Sequence, residues 1–137
     1  MSSVPRILSR SVIDRAENRC EYCRLSPISQ EAVFHIDHVI PQVDGGTTTI
    51  DNLALACVSC SLRKWANRTA VDPQTNVFVR LFNPRADNWD DHFEWREELL
   101  EAKSPNGRAT IELLKMNRPV ILGIRKEEML RGRHPPV

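Results

Sequence analysis

The stretch that decides the fold runs from Phe34 to Lys64 and reads FHIDHVIPQVDGGTTTIDNLALACVSCSLRK. Near its start, His35, Asp37 and His38 place three side chains that can bind metals or protons within four positions. On a strand, His35 and Asp37 face the same side because side chains alternate. His38 can turn toward the same pocket if the strand ends near Pro41. The stretch therefore predicts a polar pocket at the end of a strand.

The chemistry of this cluster points toward phosphate esters. A carboxylate such as Asp37 is a hard ligand suited to Mg²⁺ or Mn²⁺, and the neighbouring imidazole of His38 can act as a general base. Phosphodiester hydrolysis uses both functions, because a metal ion stabilises the leaving oxygen while the base deprotonates water. The alternative is an exposed polar patch without chemistry, since polar side chains are mostly exposed. The cysteine pairs that flank the cluster favour the metal-dependent interpretation.

Two C-x-x-C pairs, Cys20 with Cys23 and Cys57 with Cys60, have the spacing of a zinc site. Four thiolates complete the tetrahedral shell of Zn²⁺ and leave no open position, so the predicted zinc is structural. The alternatives are four buried cysteines without metal, or a redox pair of the thioredoxin type. A redox pair is disfavoured because neither motif lies in a βαβ pattern.

Between the two halves of this stretch lies a loop with a Gly45-Gly46 turn and Asn52. An Asn side chain can bond backbone groups on both sides of a long loop and hold it closed. Such closure would fix the carbonyl that orients His38. An ordinary turn before the next strand is the alternative for Asn52.

Composition sets broader limits. The chain has 137 residues, 41% of them hydrophobic, and a formal net charge of +1. These values fit a globular domain and do not fit a uniformly basic protein that wraps nucleic acid. No membrane span or signal peptide is indicated, so we expect a cytoplasmic protein whose cysteines are kept reduced. Oligomeric state is left open.

The remaining patterns predict an α+β fold, treated as a single domain over residues 1–137 with a motif core at 20–68 and an extension at 69–132. The predicted core order is strand, loop, strand, helix, preceded by another helix. The expected elements are a helix from Ser9 or Ser11 to Asn18, strands Ala32–Ile40 and Leu53–Ala56, a helix from within Cys57–Cys60 to Asn67, a strand Val77–Phe82, a hairpin of Phe93–Trp95 with Leu99–Ala102, and helices Arg108–Met116 and Val120–Leu130.

At these residues the chain resembles the HNH endonucleases. Their ββα-metal motif reads D-H-hydrophobic-x-P, then G-G, then D-N-L, then C-x-x-C-N-x-x-K, and the elements here stand at Asp37–Pro41, Gly45–Gly46, Asp51–Leu53 and Cys57–Lys64. The resemblance is specific over Cys20–Lys64, and the later stretches LFNPR, GRAT and MNRP are similar to those of small bacterial and cyanobacterial members.

The resemblance implies a divalent-metal-dependent endonuclease acting on nucleic acid, with DNA as the expected substrate. Asp37 would be a ligand of a catalytic Mg²⁺ or Mn²⁺, His38 the general base and Asn52 the residue that orders the loop. His35 would be an accessory metal or phosphate contact, and the four cysteines would hold Zn²⁺. On the helix after the metal loop, Arg63, Lys64 and Arg68 would contact phosphates.

Two positions depart from the family pattern. Members usually have Asn or His directly after the last cysteine as a second ligand to the catalytic metal, whereas this chain has Ser61. Trp65 also replaces a glycine that is common after the motif lysine. The departure at Ser61 keeps open the alternative of a catalytically weak or inactive zinc-stabilised module for DNA binding or assembly. A third interpretation is a zinc-ribbon-like interaction protein without phosphate chemistry, in which substitution of Asp37 would affect no activity.

Overall fold

The first helix begins earlier than its sequence predicts. The computed structural model describes residues 4–29 and 33–136, and α1 spans Arg6–Arg15. The predicted start at Ser9 or Ser11 is wrong, because Pro5 already has the extended backbone that precedes a helix and Ser11 Oγ bonds the carbonyl of Ile7 inside it. Beyond Arg15, Glu17 and Asn18 have positive φ, which a helix cannot continue.

A ββα unit follows, in the predicted order. Strand β1 (His35–His38) pairs antiparallel with β2 (Leu53–Ala56), and α2 (Val58–Lys64) comes directly after them. β1 is shorter than the predicted strand, of which Ala32 lies outside the described residues. All four residues of β2 are buried, which fits their uninterrupted apolar sequence.

The core of this unit forms where α1 meets the hairpin. Val12 and Ala16 of the α1 region pack with Leu53 and Leu55 of β2, and Ile36 adds to the cluster from β1. Burial of these side chains fixes the face of β1 that turns inward. Asp37 and His38 are thereby held at the end of a strand whose partner is wholly buried.

The rest of the chain is mostly hairpins and helices. Its elements are β3 (Thr69–Val71), β4 (Phe78–Arg80), α3 (Trp89–His92), β5 (Phe93–Arg96), β6 (Leu99–Ala102), α4 (Pro105–Leu114) and α5 (Pro119–Leu130). β3 pairs with β4 and β5 with β6, so the described residues hold two additional hairpins where one was expected. β3 and α3 were not predicted from the sequence. The prediction that α4 starts at Arg108 is wrong, because Ser104 caps the helix by accepting from the N–H of Gly107.

These elements make an α+β fold, as predicted, in two compact units. The first unit comprises the chain up to Asn67 together with Asn83–Ala86, and the second comprises Arg68–Phe82 with the chain from Asp87 onward. Inside the second unit, the buried carboxylate of Asp72 accepts two bonds from Arg108, at 2.9 and 2.8 Å. None of the helices in the described ranges has the length and apolar character to cross a membrane.

Candidate functional site

The four cysteines converge on one point in the first unit. The Sγ atoms of Cys20, Cys23, Cys57 and Cys60 all lie within 4.8 Å of one another, and all four side chains are buried. The Sγ atoms of Cys23 and Cys57 are 3.8 Å apart, which is the separation expected for a tetrahedron with Zn–S bonds of about 2.3 Å. The chemistry and geometry of this donor set fit a structural Zn²⁺, as the sequence predicted.

Local hydrogen bonds position the cysteines of both C-x-x-C pairs for metal binding. The N–H of Cys20 donates to the carbonyl of Leu25 and the N–H of Arg24 donates to that of Cys20, which closes the first C-x-x-C knuckle. Cys57 caps α2, because its Sγ accepts from the N–H of Cys60. Hydrogen bonds from the neighbouring thiols hold the pKa of Cys57 well below its ordinary value, whereas burial raises the pKa of Cys20.

The knuckle is fastened to strand β2 through Glu21. The N–H of Glu21 donates to the carbonyl of Leu55, and the N–H of Leu55 donates back to the Glu21 carboxylate. Arg85 forms an ion pair with Glu21 and donates to the carbonyl of Leu53 at 3.0 Å. No sequence pattern indicates this role of Arg85, since a local pattern cannot show which distant carboxylate an arginine reaches.

Asp37 lies beside the cysteine cluster and receives two contacts on one oxygen. Its Oδ2 accepts a hydrogen bond from the hydroxyl of Tyr22 at 3.1 Å and lies 3.1 Å from Nζ of Lys64. Within the described residues, Oδ1 has no such partner. Burial raises the pKa of Asp37, and the positive charge of Lys64 opposes that rise.

Lys64 lies in a different environment from the one its sequence suggests. It was expected to contact phosphates from the helix surface, but the residue is only 2% exposed. Its ammonium lies against Asp37 and donates to the carbonyl of His38 at 3.3 Å. The physical reason is that Lys64 faces the hairpin from the last turn of α2. Arg63, by contrast, is exposed, and so is Arg68, which belongs to the second unit.

His38 is tethered by a hydroxyl. Its Nε2 lies 2.9 Å from Oγ1 of Thr48, a bond across the loop that joins the two strands. Gln42 also donates to this hydroxyl, at 3.4 Å. The expected backbone carbonyl is therefore not the partner of this ring nitrogen. The loop still orients the imidazole, through Thr48.

Asn52 closes that loop from inside. Its Oδ1 accepts from the N–H of Ile40, and its Nδ2 donates to the carbonyls of Ile40 and Thr47, all at 2.9–3.0 Å. The side chain therefore joins the two ends of the loop, as its sequence position suggested. Gly46 completes the closure, because a Cβ there would lie 1.7 Å from the carbonyl oxygen of Ile40.

His35 and Ser61 are brought together across the hairpin and helix. Nδ1 of His35 lies 3.0 Å from Oγ of Ser61. Both residues were expected near a catalytic metal, and the fold places them in direct contact with each other.

A cleft of about 230 Å³ opens beside the Asp–His pair. Its walls come from the end of β1, the loop after it and the end of α2. The lining residues are Ile36, Asp37, His38, Pro41, Gln42, Trp65 and Ala66.

A ββα unit with a buried four-cysteine cluster and an Asp–His pair at the end of its first strand defines the class of ββα-metal proteins. Residues 20–66 match the domain family described as HNH endonuclease. Such a domain indicates a nuclease-like or nucleic-acid-binding function.

One curated relative is described as Septu protein PtuB, from Bacillus thuringiensis. It is 20% identical over 109 residues, which cover 78% of this chain and 40% of the relative. The chain therefore spans well under half the length of the curated relative that it matches. No solved structure matches the chain.

Proposed function

We propose that this protein is a divalent-metal-dependent endonuclease that hydrolyses phosphodiester bonds, with DNA as its substrate. The observation that carries the proposal is the arrangement at the end of β1. Asp37 is held on one oxygen by Tyr22 and Lys64, and His38 is held on one ring nitrogen by Thr48. Oδ1 of Asp37 is left to bind a metal ion and Nδ1 of His38 is left to accept a proton, and both residues line one cleft.

The donor set fits a hard divalent cation. Asp37 offers Oδ1, and His35, two residues earlier on the same strand, contacts the hydroxyl of Ser61. With water, this set suits Mg²⁺ or Mn²⁺, because carboxylate and hydroxyl oxygens are hard ligands. When bound, such an ion supplies charge stabilisation at the phosphate and the leaving oxygen. Lys64 lowers the attraction of Asp37 for a cation, since it places a positive charge on the same carboxylate.

His38 then acts on water. With Nε2 donating its proton to Oγ1 of Thr48, Nδ1 keeps a lone pair and can accept a proton from a water molecule in the cleft. The hydroxide so formed would attack phosphorus, the bond from phosphorus to the leaving oxygen would break, and that oxygen would take a proton from water. The imidazolium would be stabilised by the neighbouring carboxylate of Asp37. Asn52 serves this step indirectly, because it closes the loop that carries Thr48. A phosphate contact is assigned to Arg63, which is exposed on α2.

A second candidate function is a zinc-stabilised module that binds nucleic acid without cutting it. Two observations favour this candidate. Ser61 replaces the stronger ligand of the family pattern and is already bonded to His35, and Lys64 neutralises Asp37. Both functions need the zinc cluster, and only the first needs His38.

Nicking of a supercoiled plasmid in a series of Mg²⁺ and Mn²⁺ concentrations separates the two functions. The parent should nick in the presence of metal, Asp37→Ala should not nick, and His38→Ala should nick about 10²–10⁴-fold more slowly, all at unchanged zinc content. His134→Ala, which removes a histidine of the second unit, is the matched control and should nick like the parent. Metal-independent nicking, or equal nicking by His38→Ala, contradicts the proposal. Binding without nicking at any metal concentration selects the second candidate.

A further inference from the structure

Trp65 is exposed in a way that the other tryptophans are not. It is 76% exposed, whereas Trp89 is buried and packs against Phe93 and Trp95 at centroid distances of 5.2 and 5.4 Å. Trp65 also lines the cleft that contains Asp37 and His38. A large aromatic face is therefore presented to solvent at the place where the proposed reaction occurs.

The backbone conformation at position 65 is unfavourable for a residue as bulky as tryptophan. Trp65 ends α2 with φ of 48° and ψ of −124°, and its N–H is bonded to the carbonyl of Ser61. Positive φ favours glycine, and a bulky residue that adopts it is an outlier. Folding thus gains little from this side chain, since it is strained and exposed. A strained residue that packs on little and lines a reactive cleft indicates a function in binding.

We infer that Trp65 stacks on an unpaired nucleobase and so positions the adjoining phosphodiester in the cleft. This inference rests on the proposed function and names its substrate class: a single strand, a strand end or an unpaired position in a duplex. A base inside a duplex has both faces covered by its neighbours, whereas an unpaired base offers a face to an indole. Every base has such a face, so this contact tolerates any sequence.

The surroundings of Trp65 suit a nucleotide. Gln42 lines the same cleft and carries an amide that can bond a base edge. Arg63, two residues before Trp65, is exposed and supplies the positive charge that a phosphate requires. The rest of the cleft is lined by the polar side chains of Asp37 and His38 and by the apolar residues Ile36, Pro41 and Ala66. An aromatic residue and polar groups in the cleft, with an exposed cation two residues away in sequence, supply the chemistry that a nucleotide needs.

The test measures binding of three labelled probes without added divalent metal, so that no strand is cut. The probes are a short oligothymidylate, a sugar–phosphate strand of the same length that lacks bases, and a blunt duplex. Parent protein is compared with Trp65→Gly and Trp65→Phe by fluorescence anisotropy, and quenching of tryptophan emission is recorded. Phe78→Ala is the matched control, because Phe78 is 71% exposed and lies in β4 of the second unit.

The parent should bind oligothymidylate about 5- to 150-fold more tightly than the strand without bases, the range expected for one stacked base. Trp65→Gly should abolish this difference, Trp65→Phe should keep part of it and Phe78→Ala should keep all of it. Because glycine relieves the backbone strain, Trp65→Gly should melt at or above the parent temperature. Lost binding therefore cannot be ascribed to unfolding.

Three results would overturn the inference. Equal discrimination by parent and Trp65→Gly removes Trp65 from the contact. Equal binding of strands with and without bases, together with metal-dependent nicking, rejects stacking but leaves the proposed nuclease function intact. Absence of binding to all three probes, together with absence of metal-dependent nicking, rejects the inference and the proposed function together and points to a protein as the partner that contacts the exposed Leu62 and Trp65.

Discussion

The hydroxyl of Tyr22 donates a hydrogen bond of 3.1 Å to Oδ2 of Asp37. Tyr22 lies between Cys20 and Cys23, so a residue of the zinc knuckle directly contacts the carboxylate proposed to bind the catalytic metal. The structural metal site and the proposed reactive site are therefore neighbours through one side chain. Burial raises the pKa of Tyr22, and the negative charge of Asp37 adds to this rise, so the hydroxyl keeps its proton and remains a donor.

Tyr22→Phe should raise the concentration of divalent metal that cleavage requires, without loss of zinc. A hydrogen bond to a charged group contributes about 1.5–3 kcal/mol, so we expect the concentration of Mg²⁺ or Mn²⁺ for half-maximal cleavage to rise at least roughly 10-fold. Metal titration of plasmid nicking, with zinc content measured in the same samples, checks this expectation. An unchanged metal requirement would show that Tyr22 does not help to position Asp37.

Purified protein should carry one tightly held zinc ion, bound by the four clustered cysteines. In small zinc domains, binding contributes on the order of 10 kcal/mol to folding. Unfolding in denaturant with a chelator should therefore be irreversible until Zn²⁺ is returned, and Cys60→Ser should lower both zinc content and stability. Elemental analysis and circular dichroism provide the measurements. A folded, soluble sample without zinc would refute the assignment.

His38→Ala should lower the cleavage rate by about 10²–10⁴-fold, the usual contribution of a general base. DNA affinity should remain near that of the parent. Thr48→Val keeps the imidazole but removes its partner at 2.9 Å, so its rate should lie between those of parent and His38→Ala. Single-turnover cleavage of one substrate ranks the three proteins. If Thr48→Val cleaves as fast as the parent, the hydroxyl does not orient the ring.

Ser61→Asn should reduce the concentration of metal required for cleavage. The asparagine carbonyl reaches further than the serine hydroxyl, and a carbonyl oxygen is a good ligand for a hard dication. The parent should therefore need more metal than the variant and should prefer Mn²⁺ over Mg²⁺. Titration of both proteins with each metal provides the test, with unchanged zinc as the control. Identical titration curves would mean that position 61 does not bind the metal.

Gly46→Ala should destabilise the first unit and impair cleavage. The added Cβ would lie 1.7 Å from the carbonyl oxygen of Ile40 and 2.9 Å from Nδ2 of Asn52, so the closed loop must open. Gly123→Ala is the matched control, because a Cβ there meets nothing within 4 Å and α5 should gain about 0.5–1 kcal/mol. Thermal melts of both variants should move in opposite directions. A melting temperature of Gly46→Ala equal to that of the parent would show that the loop tolerates opening.

Sequence alone predicted the parts of the site whose geometry is local. The alternation on β1, the uninterrupted apolar β2 and the bonds of Asn52 depend on residues within one short loop and its two strands. The cysteine spacing likewise predicted a cluster, since C-x-x-C places two thiolates on one side of an ion. These local rules account for the ββα order without any knowledge of the rest of the chain.

Other features depended on packing that no local pattern records. Lys64 looked like one of several exposed cations, but the turn of α2 that carries it faces Asp37. Arg85 looked like part of a loop, yet it reaches Glu21 across 64 positions. Strand β3 was missed because Thr69–Val71 is too short to show a pattern and is defined only by its pairing with β4.

The first compact unit includes Asn83–Ala86, which lie beyond the end of the family match at residue 66. The matched segment is therefore shorter than the compact unit to which it belongs. Arg85 is the countercharge of Glu21, which lies inside the first C-x-x-C knuckle, and burial already raises the pKa of this carboxyl group. A fragment cut after Asn67 would keep every residue of the motif but would bury the carboxylate of Glu21 without the ion pair that Arg85 supplies. Recombination that transfers only the recognisable motif would thus omit Arg85, a structural residue that lies outside the motif. The unit that evolution or an engineer can move as a whole is discontinuous in sequence and extends at least to Ala86.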